Sequence, residues 1–142
     1  MRQGALRDLQ ELYAGRITPR VTISEVEEKR PLTAAALKSR EGELILAAIP
    51  SDARLIALDQ TGKSRSSREF ASDLSGWRDD GVAAVAFAIG GAEGLAPAVL
   101  DRAASALSLG AMTWPHLLAR CMLLEQIYRA QQIAAGHPYH RE

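Results

Sequence analysis

The sequence predicts an α/β domain with a parallel sheet flanked by helices. Three observations carry this expectation. Helical and strand-like patterns alternate along the chain, the order from which parallel sheets are built. The run Val82 to Ile89 is apolar throughout, as in a parallel strand covered on both faces. The 142 residues are 47% hydrophobic, with 17 basic and 17 acidic side chains and one cysteine, Cys121. Such a chain can bury one core without a disulfide or metal staple, so a single domain over residues 1–142 is expected. The ordinary apolar fraction and balanced charge exclude a disordered chain, and the zero net charge gives no sign of nucleic acid. No apolar run approaches the about 20 residues that a membrane span needs. Met1-Arg2-Gln3-Gly4 lacks a signal-peptide pattern, and a lone thiol suits a reducing compartment, so a cytoplasmic protein is expected.

Each element has its own justification. Leu6, Leu9, Leu12 and Tyr13 recur at helical spacing and stop at Gly15, which predicts a helix over 5–14. Val21-Thr22-Ile23-Ser24 alternates like a strand. Pro31 and Thr33 open a second helix, with Leu37, Glu41, Leu44, Ile45 and Ala48 on one face, running up to Pro50. Arg54 to Asp59 predicts a strand ended by the turn Gln60-Thr61-Gly62-Lys63. Ser66-Ser67-Arg68-Glu69 has capping-box spacing, so a helix should carry Phe70, Leu74 and Trp77 inward. Val82 to Ile89 is the next strand. Pro97 starts a short helix to about Ala103, and Ala104 to Leu109 forms a further strand. Pro115 opens the last helix, whose Leu117, Leu118, Cys121, Met122, Leu124, Ile127 and Tyr128 cover much of its circumference until Gly136.

In open α/β sheets ligands sit beyond the carboxyl ends of the strands. That rule selects the loops Leu58 to Lys63, Gly90 to Leu95 and Leu109 to Trp114. Gly90-Gly91-Ala92-Glu93-Gly94 reads either as a tight structural turn or as a loop that lets backbone approach a ligand. Its spacing and late position do not fit the dinucleotide fingerprint, which disfavours a nucleotide-dependent oxidoreductase. His137, His140 and Cys121 do not have zinc spacing, so no metal is expected, and Cys121 reads as a core hydrophobe. Trp77 completes a helix face, whereas Trp114, in a post-strand loop, is a candidate pocket wall. Glu125 and Arg129, four apart on the last helix, are either a surface ion pair or an arginine held ready for a phosphate. The tail His137-Pro138-Tyr139-His140-Arg141-Glu142 would ordinarily fray, yet it concentrates groups that stack on bases and bind phosphate.

Several blocks occur in order: Leu58-Asp59 with Gly62-Lys63 and Ser66-Ser67; Ile89-Gly90-Gly91-Ala92-Glu93-Gly94-Leu95; Ser108 to His116; Glu125 to Ala130; and the terminal His137-Pro138-Tyr139-His140-Arg141-Glu142. Together they closely resemble the ribosomal RNA large-subunit methyltransferase H family of the SPOUT superfamily, from about residue 32 to the last residue. The resemblance implies a C-terminal trefoil knot, which nothing in the periodicity indicates. It also implies use of S-adenosylmethionine to methylate N3 of a pseudouridine in 23S rRNA of the assembled ribosome, by a homodimer. Members begin with a hydrophobic strand and a Val-Gly-x-x-Lys-like turn ahead of the helix that here starts near Ala5. This sequence holds no such strand: either its start is misplaced, or the sheet is smaller with a more exposed edge.

Carried over position by position, the resemblance implies cofactor contacts at Leu58, Gly90, Leu109, Gly110, Ala111, Met112, Thr113 and Trp114. It implies RNA contacts at Arg129, Tyr139, His140 and Arg141. Methyl transfer depends on positioning, and the imide proton must leave. His140 is a candidate proton acceptor, with Tyr139 or Arg141 stabilising the charge that develops on the flanking oxygens. A catalytically silent knotted RNA-binding or ribosome-associated module is the alternative, and cofactor binding separates the two. The apolar circumference of the last helix, through Leu117, Leu118, Met122, Leu124 and Ile127, independently suggests self-association.

Overall fold

The computed structural model describes residues 4–91, 93–137 and 139. Its elements are α1 (Ala5–Arg16), α2 (Ala34–Ala48), β1 (Ala53–Ser64), α3 (Ser67–Asp79), β2 (Ala84–Ile89), α4 (Pro97–Arg102), β3 (Ser105–Ser108) and α5 (His116–Ala134). They fall into two compact units. One carries α2, α4 and the sheet, and the other carries α1, α3 and α5 from Leu117 onward.

In the sheet unit the strands are parallel in the order β2-β1-β3, which confirms the α/β class. Leu55 and Val99 are fully enclosed, and with Ala57, Ala88, Leu95 and Ala96 they form the core, capped by Ile45 and Leu46 of α2 and by Ile49, which follows it. Gly42 brings α2 close to α4, since a Cβ there would lie 2.7 Å from the Ala96 Cβ. Thr33 caps α2 by accepting from the Ala36 amide at 3.2 Å. The segment before α2 is held by charge: Glu28 bonds both Arg30 (2.9 Å) and Arg40 (3.1 Å), and Arg40 also reaches Glu43 at 2.8 Å. Arg30, first, and Arg40 hold the Glu28 carboxyl down at about 2.

In the helical unit the capping box of α3 forms as expected. The Glu69 amide donates to Ser66 Oγ at 3.0 Å, and the Ser66 amide donates to Glu69 Oε1 at 2.8 Å. Phe70 is buried, while Leu74 and Trp77 are half-buried. Ser67 Oγ donates to Gln126 Oε1 at 2.8 Å, tying α3 to α5. Arg120 bonds Gln10 at 2.9 Å, and the Cys121 thiol donates to the Leu6 carbonyl at 3.3 Å, tying α1 to α5. Cys121 is 2% exposed, and burial pushes its thiol above the ordinary range, so it is the core hydrophobe expected.

Four expectations need correction. Residues 21–24 form no strand, because a four-residue alternation with no sheet partner leaves its backbone groups unpaired. Among the described residues the sheet therefore has three strands. Gly15 does not end α1; the helix runs on to Arg16 and Ile17 caps it in an extended conformation. The strand expected from Val82 begins at Ala84, and only Ala88 within it is buried, since β2 lies at a sheet edge with β1 as its neighbour. Finally, β1 does not stop at Asp59. Leu107 stands in register with both Leu58 and Lys63, so Asp59 to Gly62 arch out and the strand then returns to β3.

Candidate functional site

The parallel register fixes where the post-strand loops emerge. Leu58 pairs with Ile89 on one side and with Leu107 on the other, so three strand ends lie side by side. Gly90 follows Ile89 directly, and Ser108 and Leu109 follow Leu107. The sheet thus brings Leu58, Gly90 and the start of the Leu109 to Trp114 loop to one end of the same unit. The chain passes from β1 out to β2 and then back across β1 to β3, the reversal of strand order at which α/β sheets open a ligand crevice.

Each loop has a physical device that sets its path. The Thr61 amide donates to Asp59 Oδ2 at 3.0 Å, and the Thr61 hydroxyl bonds the same oxygen, which shapes the arch. Gly62 passes so close to β3 that a Cβ would fall 2.6 Å from the Ala106 carbonyl carbon. At Gly90 a Cβ would meet the Gly94 carbonyl carbon at 2.5 Å, and Gly91 and Gly94 pair across the turn. The close approach that Gly90 permits is therefore to its own chain, which favours the structural reading of this loop. Glu41 of α2 lies against it, with a carboxylate oxygen 3.4 Å from where a Gly91 Cβ would be.

The third loop is the most open. Gly110 has φ +118°, and nothing lies within 4 Å of its absent Cβ. Ser108, 8% exposed, holds the turn by accepting from the Gly110 amide and donating to the Gly110 carbonyl, each at 3.1 Å. The Trp114 indole N–H closes the loop onto the Leu109 carbonyl at 3.3 Å, while the side chain stays 40% exposed and Met112 is 73% exposed. Gln60 Nε2 donates to Thr113 Oγ1 at 2.9 Å, joining the first loop to the third. Gln60 lies in the selected Leu58 to Lys63 loop, but its bond to Thr113 was not foreseen, and Ser108 and Glu41 were not singled out as site residues. Ser108 alone carried a local signal, a serine two residues before a glycine.

The helical unit holds a separate cluster. Arg129 grips Glu125 through Nε at 2.7 Å and Nη2 at 3.1 Å, and its guanidinium lies 5.0 Å from the centre of the Tyr139 ring. Tyr139 meets Tyr128 edge-on at 4.8 Å, its amide donates to His137 Nδ1 at 3.1 Å, and its hydroxyl shares a hydrogen bond with Tyr13. Burial, with Glu125 and Tyr13 adding to it, raises the Tyr139 hydroxyl above its ordinary pKa, so it stays protonated and able to donate. Arg16 lies 5.9 Å from the Tyr13 ring centre and 5.7 Å from that of Tyr128. Tyr139 is thus packed, not frayed. His140 and Arg141, also expected at the site, lie outside the described residues.

A glycine-shaped set of loops at the carboxyl end of a parallel sheet defines a class of ligand-binding α/β proteins. Residues 1–140 match the family model described as "Predicted SPOUT methyltransferase", and the chain belongs to that methyltransferase family. Two relatives named "Ribosomal RNA large subunit methyltransferase H" make the likeness closer. The one from Paramagnetospirillum magneticum is 51% identical over 138 residues, covering 97% of this chain and 91% of the relative. The one from Rhodospirillum centenum is 53% identical over 140 residues, covering 99% and 92%. The motif resemblance is confirmed. Among the described residues no helix is long and apolar enough to cross a membrane, and no group of His, Cys, Asp and Glu has metal-binding geometry.

Proposed function

We propose that this single-domain chain is an S-adenosylmethionine-dependent methyltransferase acting on N3 of a pseudouridine in 23S rRNA of the assembled ribosome, as a cytoplasmic homodimer with the trefoil knot of its superfamily. The observation that carries the reading is the side-by-side register of Ile89, Leu58 and Leu107, from which the three loops leave at one sheet end. The residues present fit the cofactor: the space beside Gly110 is open, the loop offers main-chain amides and carbonyls, and Met112 and Trp114 are exposed beside them. Leu58, Leu109, Gly110, Ala111, Met112, Thr113 and Trp114 would hold it in this reading, and Gly90 would do so only through its main chain, whose path the tight approach to Gly94 sets. The cofactor supplies an electrophilic methyl group.

The remaining work falls to the chain. Main-chain groups of the Leu109 to Trp114 loop read the adenine edge, and the bonds from Ser108, Gln60 and Trp114 keep that loop in place before any ligand arrives. Arg129, Tyr139, His140 and Arg141 serve the RNA. Tyr139, held protonated, donates to an oxygen flanking the reacting nitrogen, and Arg141 stabilises the same developing charge. His140 accepts the imide proton that the nitrogen must lose on gaining a methyl group. For the homodimer the available apolar surface is Leu117, Leu118, Met122 and Ile127, all half-exposed; Leu124, 3% exposed, is withdrawn from it.

Calorimetry with S-adenosylmethionine, followed by methylation of ribosomes from a strain lacking this activity, tests the reading. Binding and stoichiometric methyl transfer are expected. Deleting Tyr139 to Glu142 should abolish transfer while changing cofactor affinity much less. No cofactor binding would leave a silent ribosome-associated module, and a truncated enzyme at full rate would remove the tail from the mechanism.

A further inference from the structure

We propose that Arg16 is the guanidinium of the helical unit that meets an RNA backbone phosphate, and that Arg129 is a positioning residue for Tyr139. The proposal rests on the RNA substrate argued above and changes which residue carries the contact.

The two arginines stand in one cluster with Tyr13, Tyr128 and Tyr139 but differ in what they already hold. Arg129 is committed. Its Nε reaches the Glu125 oxygens at 2.7 and 3.3 Å and its Nη2 reaches Oε2 at 3.1 Å, with the two side chains 23% and 17% exposed. Glu125 keeps the guanidinium charged, and its face lies on the Tyr139 ring. A phosphate brought to Arg129 would put a second anion beside the Glu125 carboxylate, or would require that pair to break and Tyr139 to lose its support.

Arg16 carries no such commitment. It is exposed in the last turn of α1, and among the described residues no hydrogen bond or ion pair engages its guanidinium. Two tyrosine rings, each under 6 Å away, hold it instead. That arrangement restricts a long side chain whose ordering would otherwise cost entropy on binding. Among the described residues nothing hydrogen-bonds its in-plane N–H edge, and a planar fork of donors is what a phosphate accepts. Arg16 is therefore a preorganised cation with no ion-pair partner among the described residues, in the tyrosine cluster that also holds Tyr139, and Tyr139 is the ring that Arg129 holds.

Binding of the full-length protein to assembled ribosomes, measured by sedimentation across a range of salt, tests the assignment. Replacing Arg16 by Gln should reduce the slope of log affinity against log salt by about 0.7 to 1, the signature of one lost phosphate contact. Arg16→Lys should retain the slope. Arg129→Gln should leave the slope intact and lower kcat more than it raises KM, because it disturbs the placement of Tyr139. If Arg16→Gln melts early, Arg16→Met, which keeps the apolar stem against the rings, replaces it. An unchanged slope in the neutral Arg16 variant, or a slope lost in Arg129→Gln instead, overturns the proposal and leaves the methyltransferase reading standing. Wild-type protein that binds cofactor but no ribosomal particle at any salt overturns the RNA reading, and this proposal with it.

Discussion

The side-chain amide of Gln60 donates to the Thr113 hydroxyl at 2.9 Å, so the arch within β1 and the open loop after β3 are held to one another. An exposed neutral hydrogen bond contributes about 0.5–1.5 kcal/mol. Replacing Gln60 by Ala should therefore weaken S-adenosylmethionine by up to about tenfold. Thr113→Val should do the same, and the double variant should be no worse than either single one. Additive losses in calorimetry would show that each side chain acts alone.

Gly110 should tolerate no side chain, and the reason is its backbone. With φ +118° and open space at the Cβ position, even Ala imposes strain of about 1–3 kcal/mol or shifts the loop. Gly110→Ala should already lower cofactor affinity at least several-fold, with Gly110→Val further along the same line. If Ala binds like wild type and only Val fails, crowding against the ligand is the cause.

Gly62 and Gly76 should respond in opposite directions to Ala. At Gly62 the new methyl would sit 2.6 to 2.8 Å from the Ala106 and Leu107 backbone, which cannot move without opening the sheet, so a loss of about 1–3 kcal/mol is expected. Gly76 lies within α3 with nothing near its Cβ position, so Ala should gain about 0.5–1 kcal/mol. Thermal melts of the two variants decide it. Equal effects would contradict the close approach of the arch to β3.

The pH dependence of stability should carry the mark of Glu28. Its carboxyl titrates at about 2 in the folded chain against an ordinary 4.5, so the folded state favours the charged form. The stabilisation is present in full above pH 4.5 and is lost as pH falls from there toward 2. The difference in melting temperature between wild type and Glu28→Gln should be constant from pH 8 to about 5 and shrink below that. A difference that persists undiminished at pH 2.5 would remove the charge network as its source.

What the sequence disclosed was what neighbours in sequence decide. The Ser66 to Glu69 capping box and the Thr33 cap form as their spacing indicates, because both partners lie within one turn. The alternation of strands and helices was enough to mark the three post-strand loops, since each begins where an apolar run ends. Their fastenings were not legible: Trp114 to Leu109 and Gln60 to Thr113 depend on where the strands end in space, and the latter spans 53 positions. Gly62 read as a turn residue, yet its need for no side chain comes from Ala106, a partner brought in by the sheet. Arg16 falls beyond the helix expected over 5–14, and its place against a second tyrosine ring depends on Tyr128, which another helix supplies.

The parallel order β2-β1-β3 also governs how the chain acquires its fold during synthesis. Among the described residues no two strands form a hairpin, and β1 gains its first neighbour only at Ala84–Ile89 and its second at Ser105–Ser108. Until then Leu55, Ile56 and Ala57, the most enclosed run of the finished sheet, belong to a strand with open edges. Contacts this distant in sequence slow folding relative to a helical bundle of equal length. The interval between making residue 64 and making residue 108 is thus when aggregation competes with folding, and a pause in translation between those points would lengthen it.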